Sequence, residues 1–457
     1  MKKILLFLYA LILCFSAQSQ DNSPLPSREE SGVGLLLSLQ ECRHLALEYN
    51  EKIKTADNAV EKAKLDRQIA FAQYLPKVDG SFTLVQTKDI DLLDQDFLGL
   101  SLQTRGTYLA GISVTLPLYV GGQITSANRL ASIAQTVSQE QQRKTRMQVT
   151  SDVTNAYYTL IAVHSKVQML EAYALQMQEL YDKVKLATDV QMATENDLLR
   201  VSTKQNEVSY QLQKARNGEQ LCGLALANII GIDFEQTIIP TDTVFNSQFT
   251  ILNSQFSALS EDFSSRPDLL LLQQQVKAGE VLVKKSRSNY LPTIALVGRY
   301  SHYDNLKLKG DLTLPNSNSL GISHTISGGN PVALLSVSLP IFHWGAELKK
   351  VKKAKLDLSD AKLQLQQNER GMHVEVRRAV QNITDSQRMV ETATVGRRQA
   401  DENLRVMRQK YDNQMCTMTD LLDAQSQWQQ ARSNLIEAQT QLKIYETEYL
   451  RVTGRLE

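Results

Sequence analysis

Two carboxylates, Asp420 and Asp423, are the side chains of this 457-residue chain whose spacing is most suggestive of chemistry. Three residues apart, they share one face of a helix. Repeated around a ring of chains they would form stacked acidic layers that attract cations and can hold a blocking one. The same pair also reads as the solvated start of a helix, with Thr419-Asp420 capping exposed backbone amides. Covalent chemistry has no comparable candidates. The chain has no nucleophile–base pair, glycine-rich phosphate loop, His-x-x-x-His or Cys-x-x-Cys. Its six histidines (44, 164, 302, 324, 343, 373) are scattered. We therefore expect no catalytic residue, no metal, no cofactor and no enzyme activity.

The elements that must position these carboxylates come in two copies. Ser113-Val114-Thr115-Leu116-Pro117 returns as Ser336-Val337-Ser338-Leu339-Pro340, 223 residues on. At the same offset Gln191-Met192 returns as Gln414-Met415, Asp197-Leu198-Leu199 as Asp420-Leu421-Leu422, and Gly231 as Gly454. Each copy begins with a helix ending in Tyr-Leu-Pro, at Tyr74-Leu75-Pro76 and Tyr290-Leu291-Pro292. Hydrophobicity then alternates with period two, as in Val78, Gly80, Phe82, Leu84 and in Ile294, Leu296, Gly298, Tyr300. Strands are expected at about 76–88, 106–118, 292–303 and 331–342. The polar stretches between them, about 88–106 and 304–330, read as surface loops. Runs of about ten residues with one apolar and one small, polar face suit a tilted strand of a membrane barrel, and a half-buried soluble sheet shows the same alternation. Tyr74, Tyr119, Tyr290 and Phe342 at the strand–helix junctions resemble an interfacial aromatic girdle.

Two very long helices follow the strands, about 122–187 and 345–411, with return helices at about 195–229 and 418–452. Residues 123–187 hold neither Pro nor Gly. Val153, Tyr157, Leu160, His164 and Val167 recur at three–four spacing, the seam of a coiled coil. The first repeat thus spans 38–231 and the second 264–457, with an inter-repeat, equatorial segment at 232–263. The fold class is mainly α with a membrane β-barrel part, built from a duplicated strand–strand–long-hairpin unit.

The chain opens with Met1-Lys2-Lys3, an apolar run Ile4–Phe15 and a small-x-small site at Ala17 and Ser19. This predicts a secretory signal peptide, residues 1–19, cleaved before Gln20, with an extended arm over 20–37. Leu13 before Cys14 argues against lipidation there. Without Lys2 and Lys3 the charges nearly balance, and no basic stripe suggests nucleic acid. Three cysteines remain, Cys42, Cys222 and Cys416, an odd number that implies no disulfide scaffold. After the leader no stretch of about twenty apolar residues suggests a transmembrane helix. Four strands cannot close a barrel, and an open edge in lipid is costly. Two chains would supply eight strands around a filled interior; three would supply twelve around a lumen.

The duplicated Tyr-Leu-Pro, the Val-x-Leu-Pro-[Leu/Ile]-[Tyr/Phe]…Gly at each strand-to-helix junction, and Tyr411…Asp420-Leu421-Leu422-Asp423-Ala424 resemble the TolC-type outer-membrane efflux protein family. The resemblance covers nearly all of the mature chain. It implies a homotrimeric twelve-stranded barrel in outer-membrane lipid, continued by a periplasmic α-helical coiled-coil tunnel. Partners would be a periplasmic membrane-fusion adaptor and an inner-membrane pump. The implied function is a passive exit duct for small molecules; a type I protein secretion conduit uses the same fold, and a soluble coiled-coil scaffold would lack the strands. The resemblance puts the constricting rings at Asp420 and Asp423, and matches Tyr411 and Asp197 to the lock that shuts the aperture. The basic residue of that lock falls at Cys416, leaving Arg200 and Arg408 as candidate substitutes. The tips, Gln191-Met192 and Gln414-Met415, would dock the adaptor, although the family usually carries Gly where the two glutamines stand.

Overall fold

The computed structural model describes residues 35–85, 90–95, 98–103, 106–232, 238–242, 261–313, 319–342 and 344–456. The expected leader, most of the arm and most of the inter-repeat segment lie outside them.

The long helices match the sequence expectation closely. Helix α3 (Gln123–Asp189) and helix α6 (Ala346–Asp412) are each 67 residues, so each extends roughly 100 Å at about 1.5 Å per residue. They start at Gly122 and Gly345, both in the left-handed region (φ 83° and 71°). The return helices are α4 (Glu195–Ile230) and α7 (Met418–Val452). Gly231 and Gly454 end the two return helices with φ of 85° and 74°. A Cβ on Gly231 would sit 3.1 Å from the Tyr49 carbonyl, and one on Gly454 would sit 2.8 Å from the Arg266 backbone. Glycine is needed at both sites for conformation and for close approach.

Upstream of the strands, the helix expected from Leu39 is two helices, α1 (Leu39–Tyr49) and α2 (Glu51–Ala72). Asn50 breaks them. Its side chain accepts from the Lys52 amide at 2.8 Å and donates to the Ile229 carbonyl at 2.6 Å. The second copy has one helix, α5 (Pro267–Ser288), opened by proline in the first turn. Helices pack laterally in the order α2–α3–α5–α6, with α4 and α7 folded back along α3 and α6.

Strands β2 (Lys77–Val85), β5 (Thr107–Val120), β7 (Thr293–Thr313) and β8 (Ser319–Ser338) form one antiparallel sheet in the order β2-β5-β7-β8. The four expected strands are therefore present in one sheet. Among the described residues the expected loops are largely strand as well. Most of 304–330 is strand, because β7 and β8 pair out to Thr313↔Ser319. The expected loop 88–106 contains the hairpin β3 (Ile90–Gln95) and β4 (Leu98–Gln103), whose β4 pairs with β7 beyond the end of β5. The strand expected to 342 stops at Ser338, before Pro340, whose missing amide cannot extend the ladder. Pro117 stays in β5 through a register shift between Pro117 and Tyr119.

Below the sheet, β1 (Leu35–Leu37) and β6 (Ile238–Pro240) pair in parallel, tying the arm to the inter-repeat segment. The Tyr157 hydroxyl donates to the Leu37 carbonyl (3.0 Å) and to Asp242 Oδ2 (2.9 Å), which also accepts from the Leu39 amide (3.2 Å). Under this knot lies a core of Cys42, Ile53, Val153, Leu160, Leu226 and Ile230, all essentially inaccessible to solvent.

Gly231→Ala should therefore lower thermal stability by about 1–2 kcal/mol, the cost of a left-handed non-glycine residue, plus a clash with the Tyr49 carbonyl. A melting temperature equal to wild type in the same detergent would show that this helix end relaxes freely.

Candidate functional site

The candidate site is the end of the molecule far from the sheet, where both hairpins turn. The two turns share one geometry. In the first, the Met192 amide donates to the Ala187 carbonyl (2.7 Å) and the Gln191 amide to Thr188 (2.9 Å). In the second, the Met415 amide donates to Lys410 (2.7 Å) and the Gln414 amide to Tyr411 (2.9 Å). This pair of bonds terminates a helix through one left-handed residue. That residue is Gln191 (φ 63°) or Gln414 (φ 60°), where glycine would be unstrained. Both glutamines and both following methionines are exposed, with Met192 at 71% and Met415 at 76%.

Three residues further on, each return helix opens with a reciprocal cap. Thr194 Oγ1 accepts from the Asp197 amide (3.2 Å) while Asp197 Oδ2 accepts from the Thr194 hydroxyl (2.7 Å). Thr417 and Asp420 repeat this at 3.2 and 2.7 Å, and Asp420 also takes the Thr417 amide at 2.9 Å. The expected cap at Thr419-Asp420 is corrected: Thr417 is the cap and Asp420 its third-position partner. These bonds from Thr417 hold the Asp420 carboxyl below its ordinary range. Asp423 lies on the same face three residues along, exposed.

The hairpins meet in a core of Tyr173, Met177, Val184, Val201, Leu421 and Trp428. Polar links bridge them around this core. Arg200 on α4 donates to Thr419 Oγ1 on α7, and Arg408 on α6 donates to Gln176 Oε1 on α3. Gln429 on α7 donates to Gln211 on α4 at 2.5 Å. Tyr411 is half-buried; burial first, then the nearby Asp197 charge, push its hydroxyl pKa up. Asp197 is therefore near enough to act on Tyr411 through its charge, while its own hydrogen bonds go to Thr194. Cys416 does not reach across: its thiol donates to the Met407 carbonyl of its own hairpin at 3.6 Å. A pocket of about 110 Å³ opens between the hairpins, lined among others by Gln176, Lys183, Arg408, Tyr411 and Gln425.

Sequence reading missed Gln176 and Gln425, since polar residues on a coiled-coil flank carry no distinguishing pattern, and it took Thr419 for a helix cap and not for a partner of Arg200. It also missed Trp428, whose indole N–H donates to Asp401 Oδ1 at 2.7 Å and whose face carries the Arg432 guanidinium at 4.5 Å. One of only two tryptophans on a polar helix was a usable signal.

With this geometry in hand, comparison with known proteins is decisive. The outer membrane efflux protein profile matches residues 42–231 and 258–455, the two repeats. The chain belongs to the outer membrane efflux protein family. Among solved structures, CusC superposes with a TM-score of 0.74 at 16% identity, covering 96% of this chain and 98% of that one. The Campylobacter jejuni CmeC outer membrane channel gives 0.71 at 18%, covering 96% and 94%. The open state of the Neisseria gonorrhoeae MtrE outer membrane channel gives 0.72 at 19%, covering 92% and 89%. A comparison with curated protein sequences returns no significant match. This outer membrane efflux protein shares the fold of those channels, a strand sheet continued by paired helical hairpins.

Replacing both Gln191 and Gln414 with Gly should stabilise each tip by about 1 kcal/mol, the strain of a left-handed non-glycine residue less glycine's added chain entropy. Amide hydrogen exchange over 187–193 and 410–416 should slow about fivefold; unchanged exchange would mean the tips carry no such strain.

Proposed function

We propose that three copies of this efflux protein close head to tail into a twelve-stranded outer-membrane barrel continued by a periplasmic helical tunnel. That ring would act as the passive exit duct for small molecules delivered by a periplasmic membrane-fusion adaptor and an inner-membrane pump. The observation that carries this reading is the pair of open flanks. Within the chain one flank of the sheet is β2, with β3 as the outer strand beyond it, the other flank is β8, and the lateral helix order ends at α2 and α6. The two flanks are different surfaces, so pairing one chain's β8 with the next chain's β2 generates a ring, not a two-fold dimer. Both flanks expose apolar side chains, Leu65, Ile69 and Phe71 on α2 and Leu348, Leu356 and Leu363 on α6, each 49% or more accessible. Inside the chain the equivalent junction is already made, where α3 packs on α5 and Lys144 pairs with Asp268 at 2.7 Å.

At the tunnel's far end, Asp420 and Asp423 would ring the aperture, giving six carboxylates in two layers across three chains. Arg200 and Arg408 would replace the lock's missing basic residue, holding the second hairpin to the first beside Tyr411 and Asp197. The exposed tips Gln191-Met192 and Gln414-Met415 would meet the adaptor.

Two bilayer measurements test this reading. Asp420→Asn with Asp423→Asn removes the charge while keeping an acceptor for the Thr417 cap. Block by hexamminecobalt(III) from the periplasmic side should disappear, and persistent block would put the constriction elsewhere. Arg200→Ala with Arg408→Ala should raise mean single-channel conductance several-fold by freeing the hairpins from each other, since each link is a charge-assisted bond worth about 1.5–3 kcal/mol. Wild-type conductance in that variant would show that these arginines do not hold the aperture.

A further inference from the structure

The sheet changes the surface it presents partway along β7. On one face Ile294, Leu296, Gly298 and Tyr300 lie beside Val337, Leu335, Ala333 and Pro331 of β8, and beside Leu116, Val114 and Ile112 of β5. This is the apolar, lipid-facing side of the barrel reading, and the inference rests on that reading. The same face continues through His302 and Asp304, where Asp304 Oδ2 accepts from the Tyr108 hydroxyl at 2.8 Å. There β7 takes in one extra residue. Register passes from Tyr303↔Gly328 to Leu306↔Ile326, with Asn305 left-handed at φ 64°.

This bulge is built. Asn305 Nδ2 donates to the Gly106 carbonyl at 3.1 Å, and the buried Thr107 hydroxyl donates to the Asn305 carbonyl at 3.1 Å. A one-residue shift exchanges the two faces of a strand. Beyond it Lys307, opposite Thr325, and Lys309, opposite Ser323, occupy the face that the apolar residues hold lower down. Leu306 and Leu308 move to the other side. Without the bulge the leucines would continue the greasy face and the lysines would point inward. Across the other edge of β7, Lys307 lies opposite Gln103 and Lys309 opposite Ser101 of β4. Asp304 is occupied by Tyr108 and by the Asn305 amide at 2.7 Å.

Directly below the lysine column lies a notch of about 420 Å³, bounded by Gly80, Phe82, Ala110, Ile112, Tyr300 and His302. It is a shallow, open depression on the sheet face, and a side chain at Gly80 would project over it with nothing within 4 Å of its Cβ. Lys307 stands about four residues above His302, or roughly 14 Å along the strand. An apolar cleft with two cations a headgroup's distance above it matches one class of molecule. We propose that this face binds a phosphate-bearing, acylated lipid of the surrounding outer leaflet, with an acyl chain in the Gly80 notch and phosphate on Lys307 and Lys309. The pairing of buried chain and ionic headgroup follows the rules of interfacial lipid recognition.

The test uses the full-length oligomer in detergent, titrated with bisphosphorylated lipid A, with the same lipid dephosphorylated, and with phosphatidylcholine, bound lipid being counted by native mass spectrometry. Lipid A should bind most tightly. Lys307→Glu with Lys309→Glu should weaken it at least about thirtyfold, from two lysines near an anionic surface, and leave the dephosphorylated lipid unaffected. Gly80→Leu should weaken both forms of the lipid alike. Equal binding of the two forms by wild type, or charge-reversed protein that still prefers lipid A, would overturn the proposal. Flotation of the wild type with neutral liposomes separates the underlying reading. Protein that floats without phosphate preference sinks the lipid site alone, whereas protein that never floats sinks the barrel and the site together. Retention of oligomer size and conductance by the charge-reversed variant shows that its loss is not misfolding.

Discussion

Unpaired backbone in a sheet edge is the constraint from which the rest of this molecule follows. Each amide or carbonyl left open in hydrocarbon costs several kcal/mol, so an open-edged sheet cannot stand alone in a bilayer. The edges β2 and β8 must find each other on neighbouring copies. Once they do, the helices joined to them are carried into a ring as well, because α2 leads into β2 and α6 follows β8. A tube of long helices is thus the geometric consequence of closing the sheet. In the proposed ring the narrow end would lie at the hairpin tips, where each chain's two hairpins share one core around Tyr173 and Trp428.

That end is built from two copies with the same backbone and different chemistry. The paired turn bonds and the hydroxyl bonds of the threonine–aspartate caps repeat at the same lengths, while the cap amide bond shortens from 3.4 Å at Thr194 to 2.9 Å at Thr417. Side chains at matching positions differ. Gln178 and Gln205 share a hydrogen bond of 2.5 Å in the first hairpin. Their counterparts in the second are Asp401 and Trp428, with Arg397 and Arg432 both within 4 Å of the Asp401 carboxylate. Duplication supplied a symmetric frame, and at these matching positions only the second hairpin carries charge.

Much of this architecture was legible in the chain, for identifiable reasons. Helices α3 and α6 could be bounded within two residues, since glycine marks their starts and proline is absent throughout. The four strands were visible wherever alternation was unbroken. The upper part of the sheet was not, although Leu98, Leu100 and Leu102 alternate as cleanly as any strand. Asp91/Leu93 and Asn305 each interrupt the period with a bulge, so the flanking segments looked like polar loops. The parallel β1–β6 pair joins residues about two hundred apart, and three-residue strands leave no periodicity to detect. The aspartates and Tyr411 were reachable through motif resemblance. Gln176 and the partnership of Thr419 with Arg200 were not, because only folding reveals which polar flanks of two hairpins face each other.

The bulge at Asn305 and the left-handed glutamines at the tips express the same principle at opposite ends of the molecule. Each is a locally unfavourable backbone state kept by its surroundings, and each decides what faces outward. At Asn305, hydrogen bonds from Asn305 and Thr107 fix the extra residue and thereby turn lysines, not leucines, toward the outside. At Gln191 and Gln414, the paired turn bonds fix φ near 60° and leave an amide side chain beside an exposed methionine, where glycine would present bare backbone. Regular elements set the length and calibre of the duct. Its two ends owe their chemistry to single residues that depart from the regular backbone, which is why one repeated scaffold can present different surfaces to a membrane and to a partner.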